Sequence, residues 1–183
     1  MKTIETQLFT FSELSEAAKT RALDNLRNQA QTWEPHCMDE MLDSLKAICK
    51  AGNVQLRDWA YGPYCQGSKV KISHSMEDES GPRALAWFLK VLIEHGYTRP
   101  KTFAEMQFPG VCGFTGVCYD EDTAETIWKA LSDGDTVAEA FDAVAATFCK
   151  SAEAEAEYQT SDEYLLESMD QDEEIYTEDG NKF

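Results

Sequence analysis

The chain has 183 residues, of which 43% are hydrophobic and 11% aromatic, enough for one buried core and well away from the composition of a disordered chain. Its 34 acidic and 16 basic residues give a formal charge of −18, which repels nucleic acid and anionic membrane and favours basic partners. The longest apolar run, "ALAWFLKVLI", is too short to cross a bilayer and is interrupted by Lys90.

From the start of the chain, "KTIETQLFTF" has β-branched and aromatic residues without helical spacing, and predicts a strand ending at Ser12. "SELSEAAKTRALDNLRNQAQTW" predicts a helix capped by Ser12 or Ser15, with Ala18, Ala22, Leu26 and Trp33 along one stripe. Pro35 opens a second helix, with Met38, Met41, Leu42, Leu45, Ile48 and Cys49 at helical spacing and Gly52 as its left-handed stop. From Val54 the period becomes two: "VQLRDWAY" and "KVKISHS" flank the turn-rich "GPYCQGS" and predict a hairpin. "GPRALAWFLKVLIEHG" starts with Pro82, ends at Gly96 and is apolar nearly all round, the pattern of a central buried helix.

"FAEMQFPGVCGFTGVCY" predicts one or two further strands, with Gly110, Gly113 and Gly116 permitting bulges or close backbone approach. Three helical patterns follow: "DTAETIWKALSDG", then "TVAEAFDAVAATFCKSAEAEAEYQ" with Val137, Phe141, Val144 and Phe148 on one face, then "SDEYLLESM". In the last, Leu165, Leu166 and Met169 are expected to pack together on the domain. The expected fold is α+β in a single domain, 1–183, with a mainly antiparallel sheet of about four to five strands and about five to six helices. An N-terminal α/β part over about 1–119 and an acidic helical part over about 120–183 are expected within it, because residues 101–183 hold 21 acidic against 4 basic residues.

No chemical motif stands out. His36, His74 and His95 are scattered among a helix start, a strand and a helix end, and suit capping or core roles better than catalysis. "DEDTAE" from Asp120 and "DGD" at Asp133 to Asp135 lack the Gly and Glu of a calcium loop and read as helix N-caps. The Gly run at 110, 113 and 116 opens neither a phosphate loop nor a dinucleotide site. Cys37, Cys49, Cys65, Cys112, Cys118 and Cys149 contain no C-x-x-C pair, and Met1 to Phe11 has no apolar signal core, so free thiols in a reducing cytoplasm are expected. No cofactor, no metal and no enzymatic activity is expected.

Three stretches together carry a resemblance. "FSELSEAAKTRAL", "YGPYCQGSKVKIS" and "EYQTSDEYLLESMDQDEEIYTEDGNKF" are similar, in that order, to the opening, centre and ending of a family of small acidic phage and prophage accessory proteins. That family usually continues Gln-Gly with Asp-Gly, whereas Gln66-Gly67 is followed here by Ser68-Lys69. The resemblance implies a phage accessory protein working in the cytoplasm of a bacterial host. With the charge, it leads to the expectation of an anti-defence protein, of anti-CRISPR or anti-restriction type, that occupies the basic surface of a nucleic-acid-handling enzyme by mimicry or steric block. The carboxylates expected to carry this are Asp162, Glu163, Glu167, Asp170, Asp172, Glu173, Glu174, Glu178 and Asp179. The alternative is a protein-binding module, antitoxin-like or a host-takeover regulator, working through an aromatic surface of Trp59, Tyr61, Tyr64, Gln66 and Phe114. The oligomeric state, dimer included, stays open.

Overall fold

The computed structural model describes residues 7–30, 37–60, 68–102, 105–108, 110, 112–171 (without the side chains of 170 and 171) and 174–183. In chain order the elements are β1 (Phe9–Thr10), a 3₁₀ turn (Phe11–Glu13), α1 (Glu16–Ala30), α2 (Cys37–Ala51), β2 (Gln55–Ala60), β3 (Lys69–Ser73), α3 (Gly81–Glu94), α4 (Tyr119–Asp133), α5 (Val137–Gln159), α6 (Asp162–Gln171) and β4 (Ile175–Tyr176). The class is α+β. The chain divides into two compact units, a terminal unit of Met1–Glu34 with Ala154–Phe183 and a central unit of Pro35–Glu153. The division therefore falls at positions other than 119/120, and it brings the two ends of the sequence into one unit.

The expected sheet of four to five strands is corrected: the described strands form two separate antiparallel pairs, β1 with β4 and β2 with β3. Part of the expected first strand, residues 2–6, lies outside the described residues, and β1 is only two residues long. The described residues of 103–118 form no strand. Over 114–116 the cause lies in Asp120, whose Oδ2 accepts the backbone N–H groups of Phe114 (2.9 Å), Thr115 (2.6 Å) and Gly116 (3.2 Å). Those donors fold the loop back on the start of α4 and are lost to any ladder.

In the central unit, α4 packs on α2 and α3, and α5 supplies Val137, Phe141, Val144 and Phe148, each at most 1% exposed, to one continuous core. Thr136 and Glu139 start α5 with a reciprocal cap: Thr136 N–H donates to Glu139 Oε2 (2.9 Å) and Glu139 N–H to Thr136 Oγ1 (3.2 Å). The β2–β3 hairpin is tied to α5 where Val70 N–H donates to Asp142 Oδ1 at 2.8 Å. Three expectations change in detail. The left-handed residue after α2 is Asn53 (φ 55°) rather than Gly52, with Val54 N–H returning to Cys49 O at 2.8 Å. "DGD" at Asp133 to Asp135 closes α4 through Gly134 instead of capping a following helix, since α5 takes its cap from Thr136. Finally, α3 is amphipathic: Ala84, Leu85, Phe88 and Leu92 are buried, while Ala86, Lys90 and Ile93 are exposed.

In the terminal unit, Ser15 settles the choice of cap for α1, with its Oγ accepting Ala18 N–H at 3.3 Å. A second, small core of Leu14, Ala18, Ala22, Met169 and Tyr176 sits between α1, α6 and β4, flanked by Phe9, Phe11, Leu23 and Leu26. Among the described residues, no helix is long and apolar enough to cross a membrane.

Candidate functional site

The described residues of the acidic closing stretch are folded. Ser161 caps α6, its Oγ accepting Tyr164 N–H at 3.2 Å, and Asp162 and Glu163 occupy the first turn, where carboxylates suit the positive end of the helix dipole. Leu165 and Met169, one turn apart, point inward at 2% and 4% exposure. Glu163 and Glu167, also one turn apart, are exposed. Leu166 does not join its apolar neighbours and is 40% exposed.

Beyond α6 the chain is pinned by Tyr176, which is 1% exposed and lies edge-on to the Phe11 ring at 6.2 Å. Its hydroxyl donates to Glu174 Oε2 at 2.5 Å; burial and then the Glu174 carboxylate push the Tyr176 phenol up from its ordinary pKa. The chain then turns back on itself: Gly180 N–H donates to Thr177 O, Thr177 N–H to Asn181 O and Phe183 N–H to Ile175 O, all within 2.9–3.0 Å. Gly180 has φ 81° and lies so close to α1 that a Cβ there would sit 2.2 Å from Ala18 O.

This framework sorts the nine expected carboxylates into three groups. Glu163, Glu167 and Glu178 are exposed, as are Asp162 and Asp179, which also pair with Arg27 and Arg21 respectively. Glu174 does not belong to the outer surface: its side chain is 6% exposed and it pairs with Lys182 as well as accepting from Tyr176. The side chain of Asp170, and Asp172 and Glu173, lie outside the described residues. Sequence reasoning missed the countercharges. The described cations of this unit, Lys19, Arg21, Arg27 and Lys182, each pair with one of its own carboxylates. Arg27 and Asp162 are 135 positions apart, so no local spacing could signal the pair. Even so, the terminal unit holds 16 acidic and 5 basic residues, a net of −11, against 18 and 11, a net of −7, in the larger central unit.

A groove of about 780 Å³ opens beside these carboxylates. Phe11 and Met169 line it with Leu166 and Ile175, the last two each 40% exposed, and with Glu167 and Glu174.

The aromatic alternative is divided by the structure. Phe114 packs inward, stacked on the His95 ring at 4.5 Å and against Tyr97 at 6.0 Å, whereas Trp59 is 41% exposed on β2. Tyr61, Tyr64 and Gln66 lie outside the described residues. His36 does too. His74 Nδ1 accepts Met76 N–H at 3.1 Å and its ring rests on Trp87, and His95 Nδ1 lies 2.9 Å from Val91 O.

Two further acidic places lie in the central unit. Asp120 is fully buried; burial opposes its charge, but the bonds from Thr115, Ser44 and Phe114 prevail and hold its carboxyl below the ordinary value. Between α4 and α5 a cleft of about 410 Å³ is lined by Asp122, Glu125, Asp133 and Asp135 together with Lys129. Burial and the neighbouring Glu121 push the Asp122 carboxyl up. Among the described residues, no group of three or more His, Cys, Asp or Glu side chains is placed to hold a metal ion. Burial pushes the Cys49 thiol up to about 12. No protein family, curated protein or solved structure matches the chain.

Proposed function

We propose that this chain is a non-enzymatic, phage-encoded inhibitor of a host defence system, and that it binds a basic nucleic-acid-handling protein, of CRISPR-effector or restriction type, through the acidic face of its terminal unit in the host cytoplasm. The observation that carries this reading is that the acidic ending is held in place: Leu165, Met169 and Tyr176 are buried, so Asp162, Glu163, Glu167, Glu178 and Asp179 stand on fixed backbone. Ordered charge loses less side-chain and backbone freedom on binding than a flexible tail does. A fixed negative surface also steers a basic partner and rejects nucleic acid itself.

The chain acts there by nucleic-acid mimicry or by steric block of a basic channel, with Glu163 and Glu167 one helical turn apart on α6 as neighbouring charges of the face. The second reading, an aromatic binding module, rests on Trp59, 41% exposed.

The test is capture of host proteins on the tagged chain at low salt, followed by affinity measurement at rising salt. A basic nuclease or effector should be recovered, and its affinity should fall at least about 10-fold between roughly 0.05 and 0.3 M salt as screening shortens. The triple variant Glu163→Lys, Glu167→Lys, Glu178→Lys should abolish capture with the fold intact. Binding indifferent to both salt and these substitutions, but lost in Trp59→Ala, would move the function to the aromatic surface.

A further inference from the structure

The groove beside α6 has a composition that the charge alone does not explain. Leu166 and Ile175 are 40% exposed in the most acidic unit of the chain, and they share one concavity with Phe11 and Met169. A solubilising surface would not need them there, since exposed apolar area gathered in a cavity costs solubility. The volume of about 780 Å³ lies within the range of ordinary binding pockets and holds several large side chains. The groove's exposed acid is Glu167, with Glu163 one turn earlier on α6, whereas Glu174 lines the groove already paired with Lys182.

Backbone bonding narrows the kind of occupant. An added strand needs a free ladder, but β4 is already flanked by β1 on one side and by Lys182 on the other. On β1, Thr10 N–H is accepted by Glu13 Oε2 at 2.8 Å. An occupant that satisfies its own backbone fits better than one that borrows ladder bonds. Apolar floor, acidic margin and occupied strand edges together describe the complement of a basic amphipathic helix.

We infer that this groove is the docking site for a basic amphipathic helix of the partner protein, with apolar side chains at helical spacing seated against Phe11, Leu166, Met169 and Ile175 and flanking Lys or Arg facing the carboxylates. The inference rests on the acidic-face reading above and adds the apolar anchor to it. Charge brings the partner to the face; the anchor decides which basic segment stays.

The test uses the full chain and three synthetic 18-residue peptides. The first is a Leu/Lys amphipathic helix, the second has the same composition scrambled to remove the helical period, and the third keeps its Lys residues with every Leu replaced by Ala. The first should bind at least about 10-fold more tightly than the other two, and amide resonances of residues 10–12, 166–169 and 175 should shift on titration. Leu166→Ser combined with Ile175→Ser should cost at least about 10-fold for the first peptide and leave the weak, salt-dependent binding of the Ala peptide unchanged. Neither side chain is among the buried core residues, and an unchanged thermal midpoint checks that this variant keeps its fold.

If the three peptides bind alike, or the Ser variant binds the first peptide as the parent does while salt still weakens it, the groove is not the site and the acidic face stands alone. If no peptide binds and salt has no influence on the captured partner, the acidic-face reading itself fails. If sedimentation shows a concentration-dependent dimer that Leu166→Ser and Ile175→Ser dissolve, the occupant is a second copy and the inference is overturned.

Discussion

Asp120 shows what one side chain does to a stretch that looks like strand. It takes three backbone N–H groups and the Thr115 hydroxyl (2.8 Å) while fully buried, so its charge is held by donors instead of by a cation. Asp120→Asn places an amide with only one acceptor oxygen against these donors and should lower stability by about 1–3 kcal/mol at pH 7. The pH dependence has a definite sign. The native carboxyl titrates below its unfolded value, so its contribution is complete above the unfolded pKa of about 3.9 and is lost as pH falls through the native one. Denaturant melts of parent and variant should therefore differ by a constant amount above about pH 5 and begin to converge only as pH falls below about 4. At Gly180, two causes of strain coincide, a φ of 81° and the approach to Ala18 O, whereas Gly134 has φ 104° with nothing within 4 Å of an added Cβ. Gly134→Ala should cost about 1–2 kcal/mol, and Gly180→Ala clearly more, read as the difference of their midpoints. Caps such as Ser15 were legible because their partner is three residues away; the partners of Asp120 and Gly180 exist only once a loop or a helix has come back to meet them.

At the scale of the element, α6 separates the residues that build the surface from those that form it. Leu165 and Leu166 are adjacent and chemically identical, but only the first is buried. Leu165→Ala should cost about 2–5 kcal/mol in a chemical melt, and Leu166→Ala well under about 1.5 kcal/mol. Sequence periodicity placed α2 and α5, whose apolar residues fall at helical spacing, and the described part of α1. It failed over the described residues of 103–118, where aromatics, Gly and Cys suggested strands while the N–H groups of Phe114, Thr115 and Gly116 were already committed to Asp120. The carboxylates of the candidate face were legible as charge, but Glu174 was not legible as a buried partner of Tyr176 and Lys182. Its neighbours along the chain look the same as it does.

For the whole molecule, the division of the chain matters more than its length. A split of charge at about residue 100 is visible in the sequence, but the structural split gathers residues 1–34 with 154–183. That grouping was hidden because α1 needs cover for Leu14, Ala18 and Ala22, and Met169 and Tyr176, which provide it, lie about 150 positions later with no spacing rule to link them. Removing residues 160–183 should therefore uncover α1 while the core of the central unit stays filled. Hydrogen exchange should show α1 amides losing protection and those of α2, α3 and α4 retaining it. Equal protection of α1 in the shortened and full chains would mean that the acidic ending contributes no fold.

The discontinuity of the terminal unit also sets an order of events during synthesis. Residues 16–30 of α1 leave the ribosome long before Met169 and Tyr176 exist, and at roughly 5–20 residues per second the wait is on the order of ten seconds. Throughout it the Leu14, Ala18 and Ala22 stripe is open to chaperones, and the carboxylates after Ala154 have not yet been made. Cover for α1 and most of the unit's charge arrive together, over residues 154–183, so the charge is never displayed long before the fold that orients it can close.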